Sequence, residues 1–312
     1  MTLTVRDFRP ADAKAVADLR RAALPHLIAT PQGVAWQVVS APPAQRLRVF
    51  VAELAGRVIG QISAQLLHES SVPGQAAATP VVHPGHRRQG AGGALLTAAE
   101  EHLTAIGAGR LFAWAVDEPG SLAFAARRGY RLTRPAGFLR LDLAGTALPA
   151  LPALPAPLPP GVRLCTGADF GADPYPLFTA DAEAAADEPG DVASDAMDYE
   201  TWLRTTWEHP DIDLDLTSVV TVGGEVAAFT LVATDGLGRC ATAMTGTRRA
   251  FRGRGLARLA KTDSLLRARD AGCTEAFTGN DDGNAPILAL NRAFGYRPYA
   301  AQQRCVRDLV RR

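Results

Sequence analysis

The stretch Arg252-Gly253-Arg254-Gly255-Leu256-Ala257 decides the fold of this chain. It separates a strand-like run that ends at Thr247 from a segment, 254–271, whose apolar residues recur at helical spacing. At such a turn the first amide N–H groups of the helix have no partner, and the positive end of the helix dipole faces outward. Glycine lets the backbone approach a ligand, and arginines flank the turn, so the stretch predicts a phosphate or diphosphate site.

A weaker copy of this turn, Arg87-Arg88-Gln89-Gly90-Ala91-Gly92, lies earlier in the chain. Taken alone, a basic glycine turn is usually a plain connection between a strand and a helix. Here Arg87 and Arg252 are 165 positions apart, and the Gly-Tyr pairs at 129–130 and 295–296 are 166 apart. Both copies show the same order of strand, turn, long helix, strand, short helix, Gly-Tyr and strand, which indicates a duplicated unit.

The boundary between the two units is a proline-rich run at residues 146–160. So many prolines favour an extended polyproline II spacer, although a ligand for a proline-binding module stays open. We therefore predict an N-terminal domain at 1–145 and a C-terminal domain at 161–312. The alternation of strands and helices predicts an α/β (α+β) fold in each, with a mixed, mostly antiparallel sheet flanked by helices.

The pattern Arg-x-x-Gly-x-Gly/Ala at a helix start, followed about forty residues later by a short helix ending in Gly-Tyr, resembles the GCN5-related N-acetyltransferase (GNAT) family. The resemblance covers nearly all of the chain outside the linker and implies two tandem GNAT domains. In this family the glycine turn holds the diphosphate of coenzyme A, and backbone N–H groups of the preceding strand meet the acetyl thioester. The implied co-substrate is acetyl-CoA, with no metal.

The resemblance implies a set of cofactor contacts in each half. In the second half they are Thr245, Gly246, Thr247, Arg252, Gly253, Arg254, Gly255, Leu256, Ala257, Asn280 and Asn284. In the first half they are Val82, Arg87, Arg88, Gly90, Ala91 and Gly92. Asn280 and Asn284 have an alternative interpretation, in which they shape a turn and cap the following helix.

Family members often carry a tyrosine four residues before the glycine of the Gly-Tyr pair, where it can protonate the leaving thiolate. Ala125 and Asn291 occupy these positions here. A thiolate with an ordinary pKa of about 8.5 needs only a hydrogen bond or water, which Asn291 could provide and Ala125 could not. The segment 115–120 of the first half also lacks asparagine and carries two acids. We therefore expect the second domain to be catalytic and the first to be partly degenerate.

An acidic stretch suggests the nature of the acceptor. Residues 181–215 contain twelve carboxylates and a single arginine. In this fold the first two helices form one wall of the acceptor cleft, so the stretch predicts attraction of a small, cationic amine. Glu183, Asp187 and Asp191 are the candidate general bases. The alternative is that these residues form a solvated helix face.

Together these features predict an N-acetyltransferase in which a primary amine of a small molecule attacks acetyl-CoA directly. Backbone N–H groups around 245–247 would polarise the thioester carbonyl. The alternative is a non-catalytic or regulatory coenzyme A-binding protein that retains both anion turns. A nucleotide enzyme of the P-loop type is disfavoured because no Gly-x-x-x-x-Gly-Lys-Ser/Thr motif occurs.

Composition agrees with an enzyme that acts on small molecules. The 312 residues carry 33 Lys and Arg against 32 Asp and Glu, and the formal net charge is +1. The arginines are dispersed and not interleaved with aromatic residues, so nucleic acid is not an expected partner. Because no apolar run suits a membrane span or a signal peptide, and the four cysteines lack metal-ligand spacing, we expect a cytoplasmic protein without a membrane partner.

Overall fold

One set of helices and strands occurs twice along the chain, as the repeated motifs predict. A computed structural model describes residues 2–145, 158–187, 197–281 and 284–309. These residues form two units: the first contains the described residues up to Ala136 and from Ala300 onward, and the second contains the described residues from Gly137 to Tyr299. Asp191 and most of the proline-rich run, 146–157, lie outside the described residues.

The first copy of the repeat precedes the proline-rich run. Its elements are β1 (Leu3–Asp7), α1 (Ala13–Ala23), α2 (Pro31–Val39), β2 (Arg48–Leu54), β3 (Arg57–Leu66), β4 (Gln75–Ala78), β5 (Val81–Val82), α3 (Ala91–Ala105), β6 (Arg110–Val116), α4 (Pro119–Arg127) and β7 (Arg131–Asp142). The second copy follows the run. Its elements are β8 (Val162–Thr166), α5 (Tyr175–Ala185), α6 (Tyr199–Trp202), a π-helical turn (Leu203–Trp207), β9 (Ser218–Val222), β10 (Glu225–Thr234), β11 (Arg239–Thr247), α7 (Leu256–Asp270), β12 (Glu275–Asp281), α8 (Ala285–Ala293) and β13 (Arg297–Asp308).

Each unit contains a mixed, mostly antiparallel sheet, which confirms the predicted fold class. The strand order in the first unit is β1-β2-β3-β4-β6-β13, with β5 also paired to β3. In the second unit, the order β12-β11-β10-β9-β8 repeats the pattern, and β7 lies next to β12. Strand β4 pairs with β6, and β11 pairs with β12, in parallel register. The antiparallel pairs are β1–β2, β2–β3, β3–β4, β3–β5, β6–β13, β8–β9, β9–β10 and β10–β11.

The last strand of the chain completes the first sheet, so the predicted boundaries at 145 and 161 differ from those of the two units. Strand β13 pairs with β6 from Gln302 opposite Val116 to Asp308 opposite Arg110. In return, β7 belongs to the second unit from Gly137 onward. Because β7 and β13 occupy equivalent positions in the two copies, the sequence repeat does not determine which copy's sheet each strand joins.

The face of α3 predicted to be apolar packs on the first sheet. Leu95, Leu96 and Leu103 are fully buried and belong to one cluster with Ile59 and Ile62 of β3. Burying a leucine side chain stabilises a fold by about 1.5–3 kcal/mol, so this face fixes α3 firmly on the sheet. The N-terminus of α3, where the anion turn lies, is positioned by that packing.

Neither a membrane span nor a metal cluster occurs in the described ranges. None of the helices there is both long and apolar enough to cross a membrane. The same residues include no group of three His, Cys, Asp or Glu side chains arranged to hold a metal ion. All four cysteines are free thiols.

Candidate functional site

The anion turn of the first unit has a left-handed backbone. Helix α3 begins directly after Gly90, whose φ is 88°, and Arg88 has a φ of 66°. In the second unit the equivalent of Arg88 is Gly253, with a φ of 74°. Glycine adopts this conformation without strain, whereas an arginine there costs roughly 1–2 kcal/mol. The turn of the first unit therefore contains a strained backbone conformation at Arg88, and such strain is often found at ligand sites.

A cavity of about 680 Å³ opens beside this turn, where two strands diverge. The parallel pairing of β4 with β6 ends at Ala77 opposite Phe112. Beyond it β5 pairs with β3, and the Trp114 backbone N–H donates to Thr79 Oγ1 at 3.0 Å. The gap between β5 and the end of β6 forms the interior of the cavity.

The predicted contacts of the first half all line this one cavity. They are Val82, Arg87, Arg88, Gly90, Ala91 and Gly92. The His83 N–H bonds to the Ile59 carbonyl of β3 at 2.9 Å. Because successive amides of a strand point to opposite edges, the N–H of Val82 faces the gap. The geometry provides a backbone donor inside the cavity and an anion turn at its mouth.

The second unit contains a smaller groove of about 450 Å³ at the equivalent place. The pairing of β11 with β12 ends at Thr242 opposite Thr278, and the strands then separate. The predicted residues that line the groove are Thr245, Gly246, Thr247, Arg252, Gly253, Gly255, Leu256, Ala257 and Asn284. Arg254 is exposed and lies over the Phe251 ring, 5.7 Å from its centroid, outside the groove lining.

Asp187 binds the arginines of the second anion turn. Its carboxylate accepts hydrogen bonds from Arg249, with Asp187 Oδ1 to Arg249 Nη2 at 2.6 Å, and from Arg252. These two guanidinium groups lower the pKa of the Asp187 carboxyl well below its ordinary value. A carboxylate with such a pKa is a weak base, so the geometry does not support the predicted role of Asp187 as general base. Instead, Asp187 supplies the turn with a negative charge of its own.

Glu183 is held in a similar way. Its carboxylate accepts the backbone N–H of Arg249 and the Arg248 Nε, the latter at 3.1 Å. The backbone hydrogen bond, followed by that of Arg248, lowers the pKa of Glu183. The candidate base Glu183 is thus also paired at the anion turn. The sequence did not predict that Arg248 and Arg249 would lie next to it. The third candidate, Asp191, lies outside the described residues.

The asparagines of the second unit take different positions. Asn291 is fully buried and donates from Nδ2 to Asn280 Oδ1 at 3.0 Å, and neither residue lines the groove. The structure therefore does not bring Asn291 to the place where it was predicted to assist a leaving thiolate. Asn284 lines the groove and caps α8, since its Oδ1 accepts the Ile287 N–H at 3.4 Å.

Two further charged residues lie beside the first turn: Glu118, one of the two acids noted in the segment 115–120, and Arg128, which sequence reasoning missed. Glu118, at the start of α4, lies 3.5 Å from Arg87, a long contact between exposed groups. Arg128, at the end of α4, lines the cavity and donates from Nη1 to Thr97 Oγ1 at 3.3 Å. The pair Arg127-Arg128 directly before Gly129-Tyr130 was the available signal.

A parallel strand pair that diverges beside an anion turn occurs in both units, which is the arrangement expected of tandem acyltransferase domains that bind acyl-CoA. Residues 17–130 match the model of the acetyltransferase (GNAT) family. Mycothiol acetyltransferase from Thermomonospora curvata is 30% identical over 223 residues, which cover 70% of each chain. The enzyme of that name from Kineococcus radiotolerans is 38% identical over 136 residues, 42% of this chain and 41% of the relative.

Solved structures agree on the fold. A tandem GNAT protein from the clavulanic acid biosynthesis pathway superposes with a TM-score of 0.71 at 22% identity over 99% of both chains. A GCN5-related N-acetyltransferase from Sphaerobacter thermophilus gives 0.67 at 21% identity, over 98% of this chain and 96% of that one. The chain belongs to the GNAT family and is an acetyl-CoA-dependent N-acetyltransferase, as its sequence predicted.

Proposed function

We propose that the protein transfers the acetyl group of acetyl-CoA to a primary amine of a small, cationic molecule by direct attack, and that the first unit holds the acetyl-CoA. The observation that carries this proposal is the difference between the two anion turns. In the first, the predicted contacts share one cavity of about 680 Å³. In the second, Asp187 already bridges Arg249 and Arg252. The proposal reverses the sequence-based expectation that the second domain is the catalytic one.

The diphosphate would bind at the turn formed by residues 87–92. The free amide groups at the start of α3, together with Arg87 and Arg88, supply donors and positive charge for it. Arg87 is only weakly engaged by Glu118, since both side chains are exposed and 3.5 Å apart. A diphosphate with two negative charges would displace that contact readily.

The thioester would lie in the gap between β5 and β6. There the Val82 N–H can donate to the carbonyl oxygen, which gains negative charge as the amine attacks. Ala125 lines this cavity at the position where family members often have a tyrosine. The Tyr130 hydroxyl donates to Glu100 at 3.1 Å, and burial, followed by the Glu100 charge, raises the pKa of Tyr130. The departing thiolate would therefore take its proton from water, and water would receive the proton that the amine loses on acetylation.

The acceptor is proposed from two kinds of support. Relatives named mycothiol acetyltransferase favour a small molecule rather than a protein. The acidic stretch 181–215 is the sequence feature that favours a cation, but Glu183 and Asp187 pair with arginines of the second unit, so the charge of the acceptor stays a prediction from the sequence.

A thiol-release assay tests the transfer. Acetyl-CoA is mixed with a panel of small amines, and free coenzyme A is followed with a thiol reagent. Amine-dependent release is expected with at least one diamine or amino sugar. Tight binding of acetyl-CoA without release for any amine would instead favour the alternative, a non-catalytic coenzyme A-binding protein, which the missing tyrosine at Ala125 allows.

A further inference from the structure

We infer that Arg128 binds the 3′-phosphate of coenzyme A and makes the first groove selective for the 3′-phosphorylated coenzyme. This inference rests on the proposed function, because it requires coenzyme A in the first unit. Arg128 follows α4 and is half-buried. Its guanidinium lies beside α3, within reach of Thr97 Oγ1, with Cζ 5.8 Å from the centroid of the Phe124 ring. It is thus held at the cavity wall rather than extended into solvent.

Gly93 makes room for this guanidinium. A Cβ atom at position 93 would come within 2.6 Å of Arg128 Nη2. Gly93 is the third residue of α3, where alanine would stabilise the helix by up to about 1 kcal/mol. The glycine therefore weakens the helix at the point where its missing side chain lets an arginine approach.

The guanidinium retains most of its capacity to bind an anion. Among the described residues, no carboxylate lies within ion-pair distance of Arg128, and its hydrogen bond goes to a neutral hydroxyl. A guanidinium carries five N–H donors in a planar fork that matches phosphate geometry. Arg307, by contrast, is paired with Glu100 at 2.7 Å.

The position of Arg128 suits a second phosphate beside the diphosphate. The diphosphate would occupy the turn before Ala91, whereas Arg128 contacts α3 at Gly93 and, one turn further, at Thr97. Coenzyme A carries a separate phosphate monoester on its ribose. The second unit lacks this arrangement, since Arg258 stands where the first has Gly93, and the buried Phe294 stands where it has Arg128.

The test compares coenzyme A with 3′-dephospho-coenzyme A by calorimetry. Wild-type protein should bind coenzyme A about ten- to a hundredfold more tightly. Arg128→Ala should remove that preference by weakening coenzyme A alone, leaving the dephospho form within about twofold. Arg57→Ala, at the exposed start of β3, removes the same charge away from the cavity and should leave both affinities within about twofold.

Gly93→Ala provides an independent variant whose folding is not at risk. The new methyl group should push the flexible guanidinium aside, which lowers the preference for coenzyme A while the melting temperature stays the same or rises. Equal weakening of both ligands by Arg128→Ala, or no weakening of either, would overturn the inference while leaving the proposed function intact. Failure of the wild-type protein to bind either ligand would overturn both.

Discussion

Replacing Gly90 with alanine should weaken acetyl-CoA binding, while the same change at Gly255 should not. Both glycines precede a helix in the left-handed region, with φ of 88° and 74°. The added Cβ has space in each case: it lies 3.7 Å from Leu3 at position 90 and has no neighbour within 4 Å at position 255. The two substitutions are therefore matched in conformation and in steric effect.

The expected size follows from the backbone. An L-residue in the left-handed region costs roughly 1–2 kcal/mol, so an alanine at position 90 will relax towards negative φ in the free protein. The ligand must then restore the conformation in which the amides face the diphosphate. That cost corresponds to an increase of about five- to thirtyfold in Kd.

Isothermal calorimetry with acetyl-CoA measures the effect, and thermal unfolding of the unliganded variants checks that each remains folded. Gly90→Ala should show the five- to thirtyfold loss, and Gly255→Ala should stay within about twofold of wild type. A loss with Gly255→Ala and none with Gly90→Ala would refute the assignment of the cofactor to the first unit.

Three further predictions concern charged groups. Asp187→Asn should free Arg249 and Arg252 from their ion pairs with Asp187. In a Gly90→Ala background, calorimetry should then show a gain in the affinity of the second groove for acetyl-CoA, whereas unchanged affinity would show that Asp187 does not compete with the diphosphate. Lys261→Met should raise the free energy of unfolding in urea by about 1–3 kcal/mol, and a loss of stability would contradict this. The reason is that the fully buried Lys261 amine has no hydrogen-bond partner among the described residues, and burial lowers its pKa to about 7. Burial lowers the pKa of His26 to about 4, so between pH 4 and 6.5 the unfolded chain binds more protons than the folded chain. The free energy of unfolding should therefore fall by up to about 3 kcal/mol as the pH drops through that window. Urea unfolding at several pH values should show this slope in wild type and a smaller one in His26→Gln.

Local signals in the sequence predicted the parts of the fold that local physics determines. The glycine turns, the helices after them and the apolar face with Leu95 and Leu103 follow from backbone freedom and from periodicity. The exchange of β13 into the first sheet was not predictable, because equivalent strands carry equivalent patterns. Whether β7 or β13 joins a given sheet depends on contacts made throughout the chain and not on the sequence of the strand itself.

The site residues divide in a similar way. Contacts made by the backbone of a turn, such as those near Gly90, are set by the local sequence and could be predicted. Long-range ion pairs could not: Asp187 and Arg249 are 62 positions apart, and only the fold brings them together. The acidic stretch was therefore interpreted as an acceptor wall although part of it pairs with the anion turn.

The most direct test is the structure of the protein crystallised with coenzyme A. We expect the diphosphate to lie against the amides that follow Gly90, and Asp187 to remain paired with Arg249 and Arg252 in the second unit. Coenzyme A bound only at the turn of Gly253 and Gly255, with Asp187 displaced, would contradict this expectation.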